Sequence, residues 1–558
     1  MSLLDLGLPR HNGQAPGLQS LNCASGVLDV QVGNVVLQGS ANFTGGYITT
    51  NSTGTTYLSL GSFNINGTAT GSNVVENAGN LVGNNVINGA LTWVAGTWDN
   101  AVVTITNNST VIVAGGGGNN DMENTVVTNY GTLEWSSGTI RCGNNTFIYN
   151  YGLWDSQSDQ LLNNAFGGTI GTIFNNFGTV HKSAGTNNTI FAGGVLFDQT
   201  SGLLSALTGN ILLQGGGNLT GGTVTSSGIG TTYLNAGSFN INGATTSGNV
   251  VENAGNLVGN NVINGTLTWV AGNWDNAAVT IDNGSAVTVA GGGGNNDLGN
   301  TVVTNNGTVA WSSGTIRCGN NTFIYNYGLW DAQSDQQLNN AFGGSIGTVF
   351  NNFGTVRKEF TAGTTFFTSG VVFTNIGKLD AQSGNIALQG PYTLANGTKM
   401  SFGLNGPASN GQISLSGAAS FAGSLSVNLN GSFSPAVGSS FNLLNYTSES
   451  GVLFTSTTLP ALITWQTNYN PTVFTLSVIA SSTNSSPTNL TMATLNGTNL
   501  DLQWPADHTG WRIQAQTNPV TVGLTTNWVT IPGSGLTNQI IIPIDKANGS
   551  VFFRMIYP

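Results

Sequence analysis

The sequence predicts an all-β fold: a parallel solenoid followed by a small β-sandwich-like domain. Three observations predict it. The composition is poor in helix formers and rich in Asn, Thr, Ser, Val and Ile, with 81 Gly among 558 residues, which suits strands joined at tight corners. A long segment is duplicated, and a shorter period near 22 residues runs inside the duplication. Nested repeats of this kind build solenoids or arrays.

Charge and hydropathy narrow the class further. The chain has 11 Lys plus Arg against 22 Asp plus Glu, and apolar residues make up 39%, too many for a disordered chain, which combines low hydrophobicity with high net charge. No cluster of Lys and Arg with interleaved aromatics occurs, so a nucleic-acid partner has no electrostatic source. No apolar run has the length of a transmembrane segment. The opening "MSLLDLGLPRH" lacks the basic and apolar regions of a signal peptide and reads as a mature, processed or engineered start.

The elements follow in order. Residues 1–23 are an N-terminal segment or cap. Residues 24–390 are the solenoid: "GSFNING...VVENAGNLVGNNVING" at Gly61 returns at Gly237, an offset of 176 residues, and "GNVVLQG", "GNILLQG" and "GNIALQG" at Gly33, Gly209 and Gly384 frame partial copies. Within one copy, "NTVVTNYG" at Asn124, "NTFIYNYG" at Asn145 and "GTIFNNFG" at Gly171 begin 21 and then 26 residues apart. Overlaid, they give columns of one chemical type: Thr125, Thr146, Thr172; Val127, Ile148, Phe174; Asn129, Asn150, Asn176; Tyr130, Tyr151, Phe177. Coils stack about 4.8 Å apart, so like side chains form ladders, and the Asn amides can bond from coil to coil. The Gly two places after each Asn suggests a corner with positive φ. Roughly seventeen coils at that rise make a rod on the order of 80 Å long.

The phrases "TNYGTLEWSSGTI", "YNYGLWD" and "NNFGTVHKSAG" resemble the β-helical passenger (autotransporter-passenger) and filamentous-haemagglutinin-like regions of large secreted bacterial proteins. The resemblance implies a right-handed parallel β-helix at the bacterial cell surface or outside the cell. Residues 391–480, with "GSLSVNLNG" and "SFNLLNY", look like the last strands and cap of such passengers. The Ser/Thr/Asn/Pro-rich stretch 481–489 is a linker. Residues 490–558, with "LDLQWPADHTGWRIQAQTN" and "SVFFRMIYP", resemble a compact fibronectin type III-like β domain, short for that fold.

Candidate chemistry is sparse. Three places beyond successive corners stand Glu134, Asp155 and His181, one outward column suited to acid–base work on a polysaccharide. The second copy has Ala310, Asp331 and Arg357 there, so two of three change while the scaffold is kept. "GGGGNND" places Asp121 and Asp297 in loops similar to calcium-binding nonapeptides, though solitary and misspaced. Trp98 and Trp274, in "GTWDN" and "GNWDN", read as exposed turn residues able to stack on sugar, whereas Trp93 and Trp135 alternate with Leu and read as buried. Cys142 and Cys318 are equivalent repeat positions, too far apart to bridge, and read as small buried hydrophobes. Arg141 and Asp155 suggest a surface ion pair. Asp159 and Asp335 read as loop carboxylates.

The expectation from these readings is a non-catalytic extracellular structural or surface protein, a solenoid whose partners are copies of itself, with no cofactor and no metal. A carbohydrate-binding adhesin and a polysaccharide lyase or hydrolase are the alternatives.

Overall fold

The structure, a computed structural model, describes residues 2–3, 18–50, 53–66, 69–71, 73–116, 119–292, 295–406, 408–431, 433–449, 452–461, 463–481, 486–505 and 508–557. Most of the N-terminal segment and residues 482–485 of the linker lie outside these residues. The chain divides into two compact units, Met1–Val309 and Ala310–Pro558. Both are built almost entirely of β-strands.

In the first unit, residues 126–191 form three-stranded coils of a parallel β-solenoid. Val126–Asn129, Thr132–Ser137 and Thr139–Gly143 form one coil. Thr146–Asn150, Leu153–Ser156 and Leu161–Asn163 form the next, and Thr172–Asn176, Thr179–Lys182 and Asn188–Phe191 the one after. Every strand pairs in parallel with its equivalent on the neighbouring coil. The registers Val126↔Phe147 and Phe147↔Ile173 step by 21 (147 − 126) and 26 (173 − 147) residues, the spacing read from the repeated phrases.

Period-two alternation decides which side chains enter the bore. In Thr146–Asn150 and Thr172–Asn176 every second residue is buried, so Ile148 and Phe174 lie inside while Phe147 and Ile173 lie at the surface. Phe174 stacks on Phe197 of the next coil at 5.3 Å and 9°, and Trp154 and Phe191 meet it edge-on at 4.9 and 5.3 Å. Each such ring contributes about 1.5–3 kcal/mol of burial.

The Asn column is a buried ladder. Asn129 donates to Asn150 at 2.8 Å, Asn150 to Asn176 at 3.0 Å, and Asn176 to Gln199 at 2.9 Å. Each amide also donates to a backbone carbonyl beyond the corner, as Asn150 does to Thr179 at 3.0 Å. An amide has both donor and acceptor, so an identical residue above and below satisfies it where a hydroxyl or carboxylate would not.

The glycine two places after each Asn is required for a different reason than positive φ. Gly131, Gly152 and Gly178 are absent from the residues with left-handed backbone. A Cβ on Gly152 would lie 2.1 Å from the Gly131 carbonyl oxygen, and one on Gly178 2.3 Å from that of Gly152. Neighbouring corners pass too closely for any side chain.

The second unit repeats this construction. Thr322–Asn326, Thr348–Asn352 and Val371–Asn375 pair in parallel, Phe350 stacks on Phe373 at 5.1 Å, and Asn326, Asn352 and Asn375 form the ladder at 2.7 and 2.6 Å. Past residue 391 parallel pairing continues to Ser424–Leu429 with Ser456–Thr458. It then gives way to antiparallel strands, with Val473–Ser481 between Ser440–Asn445 and Ile463–Tyr469. Antiparallel strands occupy the edge that a parallel stack would otherwise leave open.

Two three-stranded antiparallel sheets follow. Asn499–Gln503 lies between Thr491–Leu495 and Gln539–Pro543; Arg512–Asn518 lies between Val529–Thr530 and Ser550–Ile556. Leu502, Trp504 and Ile513 are the buried core, with Leu500, Ile540, Phe553 and Met555 packed around it.

Candidate functional site: a polar row across stacked coils

The surface-facing positions of Thr132–Ser137, Leu153–Ser156, Thr179–Lys182 and Leu203–Ala206 form one row. In-register pairing places Glu134 beside Asp155, Asp155 beside His181 and His181 beside Ser205. Alternation sets the row: Leu133, Trp135, Trp154 and Val180 point inward between these residues. Ser205, which sequence reading missed, has the period-two signal of Leu204 and Ala206, but a lone Ser carries no chemical motif.

Asp155 is only 8% exposed. One carboxylate oxygen lies 2.9 Å from Nε2 of His181, without the alignment of a hydrogen bond. The other oxygen accepts from Gln157 at 3.0 Å. Two carboxylates on adjacent coils, at about 4.8 Å per coil, come near the separation retaining glycosidases use. A nucleophile or acid must also reach its substrate, and Asp155 is enclosed by its neighbours.

The second repeat shows what this row does when its histidine changes. Asp331, Arg357 and Asp380 stand in register. Arg357 donates from Nε to Asp380 at 3.0 Å, and Lys378 lies 3.1 Å from the same carboxylate. Burial opposes ionisation of Asp380, but contacts from Gln382, Lys378 and Arg357 outweigh it and hold the carboxyl below its ordinary range. Acid and base alternate from coil to coil, so the row joins coils electrostatically.

The expected Arg141–Asp155 pair does not form. Arg141 instead makes a two-pronged contact with Asp121, in register on the preceding coil, with Nε and an Nη at 2.7 and 2.6 Å from the two carboxylate oxygens. The fork geometry matches a carboxylate one coil away, so Asp121, a candidate calcium-loop residue by sequence, is engaged by a cation. Phe166 lies under the guanidinium at 5.4 Å. Asp297 is half-buried on Asn296–Gly299, in register with Asn273.

Trp98 and Trp274 are not exposed. They are 0% and 2% accessible, because "GTWDN" is no turn: it belongs to the continuous strand Val74–Ile105, with Trp98 in register with Met122. Alternation carries the indole inward, where it stacks on Trp93 at 4.2 Å and 11°. Trp274 stacks on Trp269 in the same way, at 4.2 Å and 13°. Neither can take a sugar. Among the exposed aromatics, Tyr130 and Tyr151 stack on each other at 5.1 Å, and Tyr151 on Phe177 at 4.7 Å. Their faces cover one another and offer mainly edges, the wrong surface for sugar stacking.

Two pairs of buried charge-bearing residues escaped sequence reading. Lys182 is wholly buried and donates to Asp159 at 2.9 Å, to the Ser158 carbonyl at 2.9 Å and to Thr189 at 3.3 Å. Lys358 is wholly buried too, 3.1 Å from Asp335. Asp159 and Asp335 are thus counter-ions. The Lys182 ammonium beside Asp159 holds its carboxyl below the usual range. Glu76 and Glu252 are also fully buried, each accepting a tryptophan Nε1–H, from Trp98 at 2.9 Å and Trp274 at 2.8 Å. Burial pushes both carboxyls well above their ordinary value. The available signal was alternation, since "VVE" puts Glu76 on the face of Val74.

Cys142 and Cys318 are buried thiols. Cys142 continues an interior row from Trp98 through Met122, a place for a soft, compact side chain. Among the described residues no group of three His, Cys, Asp or Glu could hold a metal ion, and no helix is long and apolar enough to cross a membrane. No protein-family model matches the chain, and no curated protein matches it.

Proposed function

We propose that the chain is a non-catalytic extracellular structural protein, a self-associating β-solenoid displayed at a bacterial surface or released from it, with the C-terminal fibronectin type III-like domain as its presented module. One observation carries this reading: four carboxylates of the coils each engage a basic side chain on a neighbouring coil. Asp121 engages Arg141, Asp155 engages His181, Asp159 engages Lys182, and Asp380 engages Arg357. Where the two repeats differ, His181 becomes Arg357, an exchange that keeps a nitrogen-bearing side chain beside a carboxylate and would abolish proton transfer. Electron microscopy across a concentration series tests assembly. Filaments or sheets are expected, and isolated particles at the highest concentration would remove it.

The contact between His181 and Asp155 favours one second reading, a polysaccharide-active enzyme confined to the first repeat. Release of new reducing or unsaturated ends from acidic polysaccharides, lost on His181→Ala and Asp155→Asn, would establish it.

A further inference from the structure

The second repeat departs from the first at three neighbouring positions, and the departures meet at one buried carboxyl. In the first repeat Asp155 has Nε2 of His181 at 2.9 Å. In the second, Asp331 on Leu329–Ala332 stands in register with Arg357 on Thr355–Lys358, but the guanidinium turns the other way, its Nε donating to Asp380 of Lys378–Ala381 at 3.0 Å. Asp380 stands where the first repeat has Ser205, so Arg357 gains a carboxylate on that side. Asp331 is 5% exposed. Its Oδ2 accepts from Gln333 at 2.9 Å, and among the described residues its enclosed Oδ1 receives no donor. The side chain within hydrogen-bond range of this carboxyl is Glu359, where the first repeat has Ser183.

Two carboxyls in contact need a positive charge between them, because ionised oxygens only accept hydrogen bonds and like charges this close oppose each other's ionisation. The surrounding cations do not supply it. Arg357 is committed to Asp380, and its Nη1 lies 3.9 Å from Oε2 of Glu359, beyond hydrogen-bond range. Lys378 lies 3.1 Å from Asp380 as well. Lys399, in register with Lys378 one coil on, is exposed, and Lys358 faces Asp335. On the preceding coil the row holds Ala310, which has no charge. Asp331, Glu359 and Asp380 thus stand against Arg357 and Lys378, three carboxyls to two cations. They do not form a group of three that could hold a metal ion, which leaves a proton.

We propose that Glu359 carries a proton and donates it to Oδ1 of Asp331, making a pH-sensitive clasp between two coils of the second unit that is closed while protonated and opens when the proton leaves. Opening breaks the O–H···O bond and leaves two facing carboxylates. The proton passes to solvent, which reaches the Glu359 side chain at 23% exposure. Burial, and then the charge of Asp331, push the Glu359 carboxyl up. The clasp is therefore closed below the ordinary glutamate value of about 4.3 and is lost as pH rises through the higher folded-state value. The adjoining chain is strained. Phe360 has a left-handed backbone, φ 72°, and is 74% exposed, a costly conformation for a residue of that size; Ala184, its equivalent in the first repeat, is not left-handed. The Glu359 amide donates to the Ala332 carbonyl at 3.2 Å and so reports on the same two coils.

Infrared titration of the full chain tests it, comparing wild type with Glu359→Gln, with Glu359→Ser, which installs the first repeat's residue, and with Asp331→Asn; far-UV circular dichroism checks folding. A protonated carboxyl has a C=O stretch that a carboxylate lacks. At pH 5 wild type should show such absorption that both Glu359 variants lack. In Asp331→Asn the pH at which it disappears should fall by about one unit or more, a tenfold loss of proton affinity. Hydrogen exchange at the Glu359 amide, corrected for the intrinsic rate at each pH, should lose protection about tenfold between pH 5 and pH 8 in wild type and stay level in Glu359→Gln. Equal carboxyl absorption in wild type and both Glu359 variants would show Glu359 ionised and overturn the proposal. Disappearance at an unchanged pH in Asp331→Asn overturns the shared proton. Level protection in wild type, a measurement that needs no variant, overturns the clasp.

Discussion

Replacing Glu76 by Gln should make stability less dependent on pH, and the effect can be worked from the site. The Glu76 side chain is fully buried. Oε2 accepts the Trp98 indole N–H at 2.9 Å, and Oε1 has no hydrogen-bond partner. Desolvation, only partly offset by that hydrogen bond, pushes the carboxyl well above its ordinary value, so the folded chain holds a proton that the unfolded chain releases near pH 4.3, roughly the value of a free glutamate. The sign follows. Above that pH the folded state binds more protons than the unfolded state, so stability is greatest below it and falls as pH rises toward the folded-state value. Each pH unit in that window costs a factor of about ten in the folding equilibrium. Gln keeps an acceptor for Trp98 and cannot ionise. Glu252, accepting from Trp274 at 2.8 Å with the same unpartnered Oε1, is an internal replicate. Urea denaturation at pH 4 through 8 should show wild type losing midpoint steadily, and Glu76→Gln and Glu252→Gln each losing it less steeply. A buried amide N–H without an acceptor lowers the variant equally at every pH, so the slope is the diagnostic. A flat wild-type profile, or parallel profiles for wild type and both variants, would refute the reasoning.

Asp159→Asn should destabilise more than Lys182→Met, because it strands a buried ammonium whereas Met fills the same space without charge; since Asp159 is 35% exposed, the loss should fall below the ~3–5 kcal/mol of a wholly buried pair. The lowered Asp159 pKa gives the opposite pH sign to Glu76: its contribution is present above the ordinary aspartate value and is lost as pH falls through the depressed one, readable as an acid limb missing in Asp159→Asn. Gly152→Ala, whose Cβ would lie 2.1 Å from the Gly131 oxygen, should cost about 1–3 kcal/mol in thermal or chemical denaturation. Burial pushes the Cys142 thiol far up, so native protein treated with iodoacetamide at pH 8 should leave Cys142 unlabelled by peptide mass analysis, and unfolded protein should label it.

Much of the candidate site's framework was legible. The row of Glu134, Asp155 and His181 followed from counting past repeated corners, because in-register stacking turns equal sequence offsets into spatial neighbours. Its partners were harder to read. Arg141 had two carboxylates within a coil or so, and only the register Asp121↔Arg141 decides between Asp121 and Asp155. Trp98 was misread because Gly, Thr, Asp and Asn around it are turn formers by local propensity, while the chain there stays paired within Val74–Ile105. Tertiary pairing overrides that propensity.

By itself the sequence determined the all-β class, the coil period and the chemical type of each ladder. Those are properties of repetition and alternation, which a parallel stack converts directly into geometry. Only the tertiary structure decided which face of each strand enters the bore, and so whether Trp98 meets solvent or Trp93, whether Gly152 serves φ or close packing, and which carboxylate takes which cation. Buried Lys182 and Glu76 belong to that second class for the same reason: solvation and counter-ion distance are set by residues some twenty positions away, and no local pattern encodes them.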